Sequence, residues 1–205
     1  MATSGNMSSI EVEGAARVAV ACTRIESYIR AQLSSGRLQH VLGVTEYAEY
    51  LAESFGESPA RARLAALGHD MAREWDVEKI RTWGISDGLP VSPLESEVPK
   101  ILHGRAAAVL MKEQFHVCDT EVIRAVRTHT LGDVGMGRLE KILFCADYLE
   151  PGRPYIERDF RVRVEQLDLD EMVCACVEHN TNRGHEPAER TISMYRELCG
   201  REYPT

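Results

Sequence analysis

Aspartate side chains lie inside otherwise apolar stretches of this 205-residue chain. Asp70 directly follows His69 within residues 64–72, and Asp147 lies within residues 142–149. Burial of an ionised carboxylate costs several kcal/mol unless it is paired or bound to a metal ion. A cation shared between the two aspartates would remove that cost, so the sequence predicts a metal site.

Histidine residues beside apolar helix positions extend this pattern. A lone histidine in a helix is more often a core or surface residue than a ligand, so the weight lies in the combination of residue types. Imidazole and carboxylate groups together suit iron, manganese, zinc or cobalt better than calcium, which prefers oxygen ligands. The candidate ligands in chain order are His40, His69, Asp70, His103, His129 and Asp147.

The elements that position these residues are predicted to be helices. Apolar residues recur at steps of three and four along most of the chain, and no alternating β pattern competes, which predicts an all-α fold. A helix over residues 37–55 should end at Gly56, and Ser58 with Pro59 should begin a second helix that continues to Met71. Further helices are expected over residues 100–115, 119–128, 136–149, 157–166, 170–182 and 188–198.

A connection between these helices is marked by residues that break regular structure. Residues 84–99 contain Gly84, Gly88, Pro90, Pro93 and Pro99. Glycine and proline at this density predict a long irregular segment, which could cover part of the pocket.

Composition and charge limit the class of protein. The chain is 44% hydrophobic with a net charge of −8, which predicts one globular domain and argues against a nucleic acid polymer as partner. Residues 1–15 are expected to be disordered or an additional N-terminal segment, and residues 16–200 to form the domain. The sequence lacks a signal peptide and a run of about 18 to 20 apolar residues, so we expect a cytoplasmic protein without a membrane partner. A homodimer is left open.

The cysteines contain no C-x-x-C spacing, and only Cys174 and Cys176 are close together in sequence. In a reducing cytoplasm such residues are expected to be buried free thiols, and a zinc ribbon is disfavoured. The remaining cysteines are Cys22, Cys118, Cys145 and Cys199.

The order of the candidate ligands resembles the H...HD...H...H...D series of the HD-domain metal-dependent phosphohydrolases. The surrounding residues are similar to one branch, the YqeK-type symmetrical bis(5'-nucleosyl)-tetraphosphatases. They are residues 129–132 (HTLG), 146–153 (ADYLEPGR), 102–104 (LHG) and 40–44 (HVLGV). The resemblance covers about residues 37–155 and implies a single HD-domain helical bundle over residues 16–200.

The resemblance also implies a chemistry. It implies two divalent transition metal ions, iron first, with manganese, zinc or cobalt as alternatives. One ion would be held by His40, His69, Asp70 and Asp147, and the other by His103 and His129 with Asp70 bridging. A hydroxide held by the two ions would attack a phosphoanhydride, because metal coordination lowers the pKa of bound water toward about 7. The implied reaction is cleavage of diadenosine tetraphosphate into two ADP.

Cationic and hydroxyl side chains near the candidate ligands are predicted to contact the substrate phosphates. They are Arg73, Thr130 and Arg153. Arg73 stands where this branch often has lysine, and its guanidinium keeps the charge while adding a fork suited to phosphate. We expect Asp70 and Arg73 to be the residues on which catalysis depends most.

Alternative functions remain open at this point. The same metal site could serve a nucleotide phosphatase or a phosphodiesterase with another substrate, because the pocket rim selects the substrate. A non-catalytic module that senses a nucleotide is a third hypothesis, although such a module should lack one or more of the metal ligands. Side chains outside the series are expected to lie on the surface or in loops (His116, His179 and His185), and Trp75 and Trp83 to pack together.

Overall fold

The computed structural model describes the backbone of residues 9–204 and the side chains of residues 14–204. Within residues 9–204 the chain is helical, with turns between the helices and no strand. This confirms the predicted all-α class. The helices are α1 (Ser9–Gln32), α2 (Ser35–Phe55), α3 (Pro59–Gly68), α4 (Val77–Ile85), α5 (Pro93–Glu97), a 3-10 helix (Pro99–Leu102), α6 (His103–Phe115), α7 (Thr120–Thr128), α8 (Arg138–Leu149), α9 (Arg158–Val164), α10 (Leu169–Asn182) and α11 (Glu189–Cys199).

Capping residues set the helix boundaries close to where the sequence predicts them. Helix α2 ends at Gly56, which has a left-handed φ of 67°. The Ser58 side chain accepts a hydrogen bond from the backbone N–H of Arg61, and Pro59 occupies the first turn of α3. Asp119 caps α7 in the same way. Side-chain acceptors at these positions satisfy backbone donors that the helix itself leaves unpaired.

The N-terminal part of the chain is a long helix. Ile25 and Ile29 of α1 are fully buried, and α1 packs against α3 and α6. Residues 1–8 lie outside the described part of the chain, so the predicted boundary at residue 15 stays a prediction.

The irregular connection is shorter than residues 84–99. Helix α4 extends to Ile85, and Ser92 and Glu95 form a reciprocal capping box that begins α5. This capping box, with Pro93 in the first turn, indicates the start of a helix. The high glycine and proline content of the segment predicted irregular structure instead.

A buried guanidinium anchors this connection to α6. Arg105 is 4% exposed and donates to Asp87, to Glu95 and to the backbone carbonyls of Leu89 and Pro90. The connection therefore lies against the start of α6, the helix that carries His103.

Helices α3 and α8 lie at the centre of the bundle. Helix α3 packs against α1, α2, α7 and α8, and α8 also contacts α2, α7 and α10. Burial of large apolar side chains at these contacts supplies the main driving force for folding. Those that are fully buried include Ile25, Ile29, Leu51, Leu64, Leu67, Leu110, Met111 and Ile142.

A close approach between α6 and α7 depends on Gly104. A Cβ atom at Gly104 would lie 2.9 Å from the carbonyl oxygen of Val126 and 3.0 Å from the ring of His129. The absence of a side chain here lets the beginning of α6 pack against the end of α7.

The prediction of free buried thiols is wrong for three of the cysteines. Cys174 and Cys199 form a disulfide between α10 and α11, with their Cα atoms 6.3 Å apart, and Cys118 is exposed. The pairing joins positions 25 residues apart, so no short-range spacing could indicate it. The other cysteines are free and buried. Across the described residues, no helix has both the length and the apolar content needed to span a bilayer.

Candidate metal centre

The six predicted ligands lie together where several helices end. His40 is on α2, and His103 is the first residue of α6. His69 and Asp70 directly follow α3, His129 directly follows α7, and Asp147 is in the last turn of α8. Helix C-termini carry partial negative charge, so the ends of α3, α7 and α8 together favour a cation.

Helix α3 ends three residues earlier than the sequence predicts. Its last residue is Gly68, and residues 69–74 continue as turns, with the N–H of Met71 bonded to the carbonyl of Gly68 and that of Arg73 to Asp70. The apolar pattern continues through this segment, so periodicity alone does not reveal the break.

The Asp70 carboxylate is surrounded by imidazoles. Its Oδ1 lies 3.2 Å from Nε2 of His103. Its Oδ2 lies 3.5 Å from Nε2 of His69 and 3.7 Å from Nε2 of His40. The side chain is only 4% exposed, so this carboxylate can reach several imidazoles without contact with bulk water.

The Asp147 carboxylate faces the same imidazoles from another side. Its Oδ1 lies 3.1 Å from Nε2 of His40 and 3.8 Å from Nε2 of His69. Two groups of potential ligand atoms each lie within 4.8 Å of one another: one of His40, His69 and Asp147, and one of His69, Asp70 and His129. The geometry therefore offers two overlapping sets of ligands that share His69.

The outer nitrogen of three imidazoles is fixed by a backbone carbonyl three residues earlier. Nδ1 of His69 lies 2.6 Å from the carbonyl oxygen of Ala66, and Nδ1 of His129 lies 2.8 Å from that of Val126. Nδ1 of His103 is likewise 2.8 Å from the Lys100 carbonyl. A carbonyl can only accept, so Nδ1 carries the proton, and the Nε2 lone pair of each neutral ring faces the centre.

Few hydrogen-bond donors in the described part of the chain lie near these Nε2 lone pairs. Nε2 of His69 is buried with no hydrogen-bond partner. Nε2 of His103 and Nε2 of His129 lie 3.2 Å apart, although neither can donate to the other in this tautomer. Unpaired buried acceptors cost free energy, and a metal ion would satisfy those of His69 and His103; it could also bind His129, whose Nε2 lies 3.3 Å from the Thr130 hydroxyl. The donor set therefore fits a divalent metal ion.

The electrostatics of the site favour the metal-binding forms of His69, His129 and Asp147. Burial alone would lower the pKa of His40, but its hydrogen bonds to Asp147 and Glu150 raise it. Burial lowers the pKa of His69 and, together with His103, lowers that of His129 to about 3. Burial alone would raise the pKa of Asp147, but the hydrogen bond to His40 and the charge of Arg153 hold it well below its usual range. Neutral imidazoles and an ionised carboxylate are the protonation states that metal coordination requires.

Arginine side chains lie beside both carboxylates. Arg153 Nη2 lies 2.6 Å from Oδ1 of Asp147 and also donates to the Asp147 carbonyl. Arg37 Nη1 lies 2.8 Å from Oδ2 of Asp70. Arg37 and Arg153 line an open cavity of about 300 Å³ that reaches His40. Glu74 and Glu150 also line it, and the two guanidiniums of this arginine-lined opening can receive an anionic group next to the centre.

Arg73 and Thr130 lie at the edge of the centre. Arg73 Nη1 lies 3.4 Å from Nδ1 of His103. The Thr130 hydroxyl lies 3.3 Å from Nε2 of His129. Both side chains are half-buried, and each contacts a predicted ligand.

Two residues at the centre were not predicted from the sequence. Arg37 is three residues before His40 on α2. This spacing places both residues on one helix face, so the sequence pattern alone could have indicated Arg37. Glu150 is 4% exposed, and its Oε1 lies 3.1 Å from Nδ1 of His40. Glu150 lies within the segment 146–153, which carries part of the resemblance to the tetraphosphatase branch, but local sequence does not indicate a partner for its side chain.

The histidines outside the series have mixed positions. His116 and His185 are exposed, as predicted. The prediction is wrong for His179, which is half-buried on α10 with its ring stacked at 4.1 Å on Phe160. The polar neighbours of His179 in sequence point elsewhere because a helix turns by about 100° per residue.

The tryptophan rings pack against each other as predicted. The centroids of Trp75 and Trp83 are 5.5 Å apart in an edge-on arrangement, and both rings pack against the core.

The family-model comparison matches residues 37–152 to the HD domain. This range contains every predicted ligand and covers more than half of the chain, so the chain belongs to the HD domain family.

Two individual relatives show which branch of the HD domain family this chain resembles. A symmetrical bis(5'-nucleosyl)-tetraphosphatase of Halalkalibacterium halodurans is 36% identical over 127 residues, which cover 62% of this chain and 67% of the relative. A protein of the same name from Bacillus subtilis is 30% identical over 151 residues, or 74% of this chain and 81% of the relative. These relatives confirm the resemblance to the tetraphosphatase branch.

A solved structure from Clostridium acetobutylicum has the same fold. It is named a predicted HD superfamily hydrolase involved in NAD metabolism, and it matches with a TM-score of 0.78 at 30% identity. The match covers 88% of this chain and 97% of that one.

Proposed function

We propose that this chain is a metal-dependent hydrolase that cleaves diadenosine tetraphosphate symmetrically into two ADP. Curated relatives at 30% to 36% identity carry the name of this activity. Water adds its oxygen to one inner phosphorus, the central P–O–P bridge breaks, and a proton is released. Both products are then nucleoside diphosphates.

The observation that carries the proposal is the convergence of imidazole nitrogens on the buried carboxylate of Asp70 and the half-buried carboxylate of Asp147. His40, His69, Asp70 and Asp147 are the proposed ligands of one ion, and His103 and His129, with Asp70 bridging, those of the other. The 3.2 Å separation of two Nε2 atoms that both lack a proton supports a cation between His103 and His129. Iron is the first choice of metal, and manganese, zinc and cobalt suit the same ligands.

Divalent ions at such a site neutralise charge on phosphoryl oxygens and make a water molecule more acidic. The backbone carbonyls of Ala66, Lys100 and Val126 keep the ligand imidazoles in the correct tautomer. The low pKa of Asp147 keeps its carboxylate ionised throughout the neutral range.

The arginines are proposed to hold the polyphosphate. Arg153 and Arg37 line the open cavity beside His40, where their guanidiniums can exchange a carboxylate partner for a phosphate oxygen. Arg73 and Thr130 are proposed to contact phosphate from the side of His103 and His129. Charge neutralisation and in-line positioning are the main requirements of phosphoryl transfer.

Product analysis tests the proposal. The purified chain is incubated with diadenosine tetraphosphate, with and without a chelator, and the products are separated by chromatography. We expect ADP alone, no turnover in chelator and none for Asp70→Ala, whereas His185→Ala, at an exposed loop position, should retain activity. ATP and AMP as products would exclude symmetrical cleavage. Rapid release of phosphate from AMP, without cleavage of the dinucleotide, would indicate a nucleotidase.

A further inference from the structure

A second cavity borders the metal centre. It has a volume of about 150 Å³ and lies among α8, α10, α11 and the residues that follow α7. His129 and Asp147, two of the proposed ligands, form part of its wall. A group held in this cavity would therefore lie beside the centre.

The size of the cavity limits what it can hold. Pockets for whole drug-sized ligands measure roughly 300–1,000 Å³. At about 150 Å³, this cavity has room for one ring system but not for a complete dinucleotide.

The lining of the cavity offers no cationic side chain to the polyphosphate chain. No lysine or arginine lines the cavity, whereas Asp147 and Glu186 place carboxylates there. Arg37 and Arg153 line the opening beside His40, together with Glu74 and Glu150. Guanidinium groups that can hold phosphate are therefore present at this first opening and absent from the lining of the second cavity, so a phosphate chain fits the first and a neutral group with hydrogen-bond donors fits the second.

The other walls of the cavity suit a flat, partly polar ring. Leu131, Phe144 and Pro187 supply apolar surface. Asn180, near the end of α10, lines the cavity, and its side-chain amide makes no hydrogen bond to any residue in the described part of the chain. An amide offers a donor and an acceptor side by side, which matches the edge of a nucleobase.

We propose that this cavity binds one nucleobase of the dinucleotide and that the Asn180 amide hydrogen-bonds to the edge of that base. The inference rests on the proposed function, because it assumes a nucleotide substrate whose phosphates lie at the metal centre. It makes the two halves of a symmetrical substrate unequal: one base is enclosed beside α10, and the other half leaves through the arginine-lined opening.

Base selectivity is the readout that tests this role. An aspartate offers two acceptors, which match the N1–H and N2–H donors of guanine, whereas the amide can pair with adenine. Asn180→Asp should therefore shift the ratio of kcat/KM for diadenosine and diguanosine tetraphosphate toward guanine by about tenfold. Metal content is measured in parallel, and Asn180→Ala should lower kcat/KM for both substrates.

Asn182→Asp is the matched control. Asn182 is exposed on the same helix, so the variant adds the same charge outside the cavity and should leave the ratio unchanged. An unchanged ratio in Asn180→Asp, with both dinucleotides still cleaved, would overturn the inference and leave the proposed function intact.

Failure of the proposed function has a different signature. If the wild-type chain cleaves neither dinucleotide, equilibrium binding of ADP and GDP to wild type and Asn180→Asp tests the cavity directly. A shift in relative affinity toward GDP would support base binding in the cavity, and equal relative affinities in the two proteins would overturn it.

Discussion

Glu150 orients His40 through a hydrogen bond of 3.1 Å between its Oε1 and the imidazole Nδ1. The other oxygen, Oε2, accepts the backbone N–H of Gly152 at 2.5 Å. A Cβ atom at Gly43 would lie 2.8 Å from Oε2, so α2 can approach this carboxylate only because residue 43 is glycine. His40 thus differs from His69, whose Nδ1 is held by a backbone carbonyl.

Replacement of Glu150 should weaken the metal site without removing a ligand. Partners that hold the outer nitrogen of a metal-binding histidine contribute about 10- to 100-fold to affinity or activity. We expect Glu150→Ala to lower metal affinity within this range, measured by competition with a chelator, and Glu150→Gln to recover part of it. Exposed Glu53→Gln is the control. Wild-type affinity in Glu150→Ala would remove Glu150 from the site.

Metal analysis should find about two transition metal ions per chain in protein prepared without chelator. The physical reason is the number of converging ligand atoms, which exceeds what one tetrahedral ion uses. Elemental analysis before and after addition of iron or manganese provides the measurement. A reproducible content near zero that neither metal raises would contradict the metal centre.

Removal of an arginine at the arginine-lined opening should impair use of the substrate but not metal binding. Loss of a charge-assisted hydrogen bond costs about 1.5–3 kcal/mol, so Arg153→Ala or Arg37→Ala should lower kcat/KM by roughly 10- to 150-fold. Arg153→Lys or Arg37→Lys should retain only part of the wild-type kcat/KM, because lysine lacks the planar guanidinium group. Steady-state kinetics, with metal content measured in parallel, tests this prediction. If metal content fell in proportion to kcat/KM, the arginines would act by positioning the carboxylates and not by binding the substrate.

The candidate ligands could be picked out from the sequence because each stands next to buried positions in a regular helix pattern. His69 and Asp70 within an apolar run, and Asp147 within another, indicate buried charge through the local pattern alone. The capping residues Ser58 and Asp119 similarly define helix starts, since a cap acts over three residues.

Contacts between distant parts of the chain were not predictable in this way. Asn180 lines the second cavity only because α10 packs against α8, and the disulfide of Cys174 and Cys199 requires α11 to lie beside α10. The role of Glu150 was not predicted, because local sequence does not show that its side chain contacts His40, which is 110 residues earlier in the chain.

Acidification should remove the stability contributed by Asp119. Burial would raise the pKa of this carboxyl, but Arg61 and the N-terminal amides of α7 hold it below its usual value. A depressed carboxyl pKa stabilises the fold above the unfolded pKa of about 3.9, and this contribution is lost as pH falls through the folded pKa.

Asp119→Asn isolates the charge, because the amide oxygen can still cap α7. We expect it to lower the free energy of unfolding by about 1–2 kcal/mol at pH 7 and the difference from wild type to shrink as pH falls below about 4. Denaturant titrations at several pH values measure this, with exposed Asp159→Asn as control. A difference independent of pH would mean that the charge is not responsible.

Loss of Arg105 should loosen the segment that precedes His103. Removal of one member of a buried ion pair costs about 3–5 kcal/mol, and Glu95, whose side chain is 3% exposed, would be left without its cation. We expect Arg105→Ala to increase proteolysis and amide exchange over residues 86–98 before other regions, compared with exposed Arg81→Ala. Uniform exchange across the chain would indicate global destabilisation instead.

The bonds between imidazoles and the carbonyls of Ala66, Lys100 and Val126 have a thermodynamic consequence. Each joins a ligand to the backbone three residues earlier, so ring orientation is encoded in local structure and does not depend on the bound ion. In zinc fingers, by contrast, ion binding supplies the folding free energy itself. Here the ion adds only its linkage contribution, RT ln(1 + [M]/Kd), to a fold that the hydrophobic core already stabilises. Loss of metal should therefore leave a folded protein whose site can be reloaded without refolding.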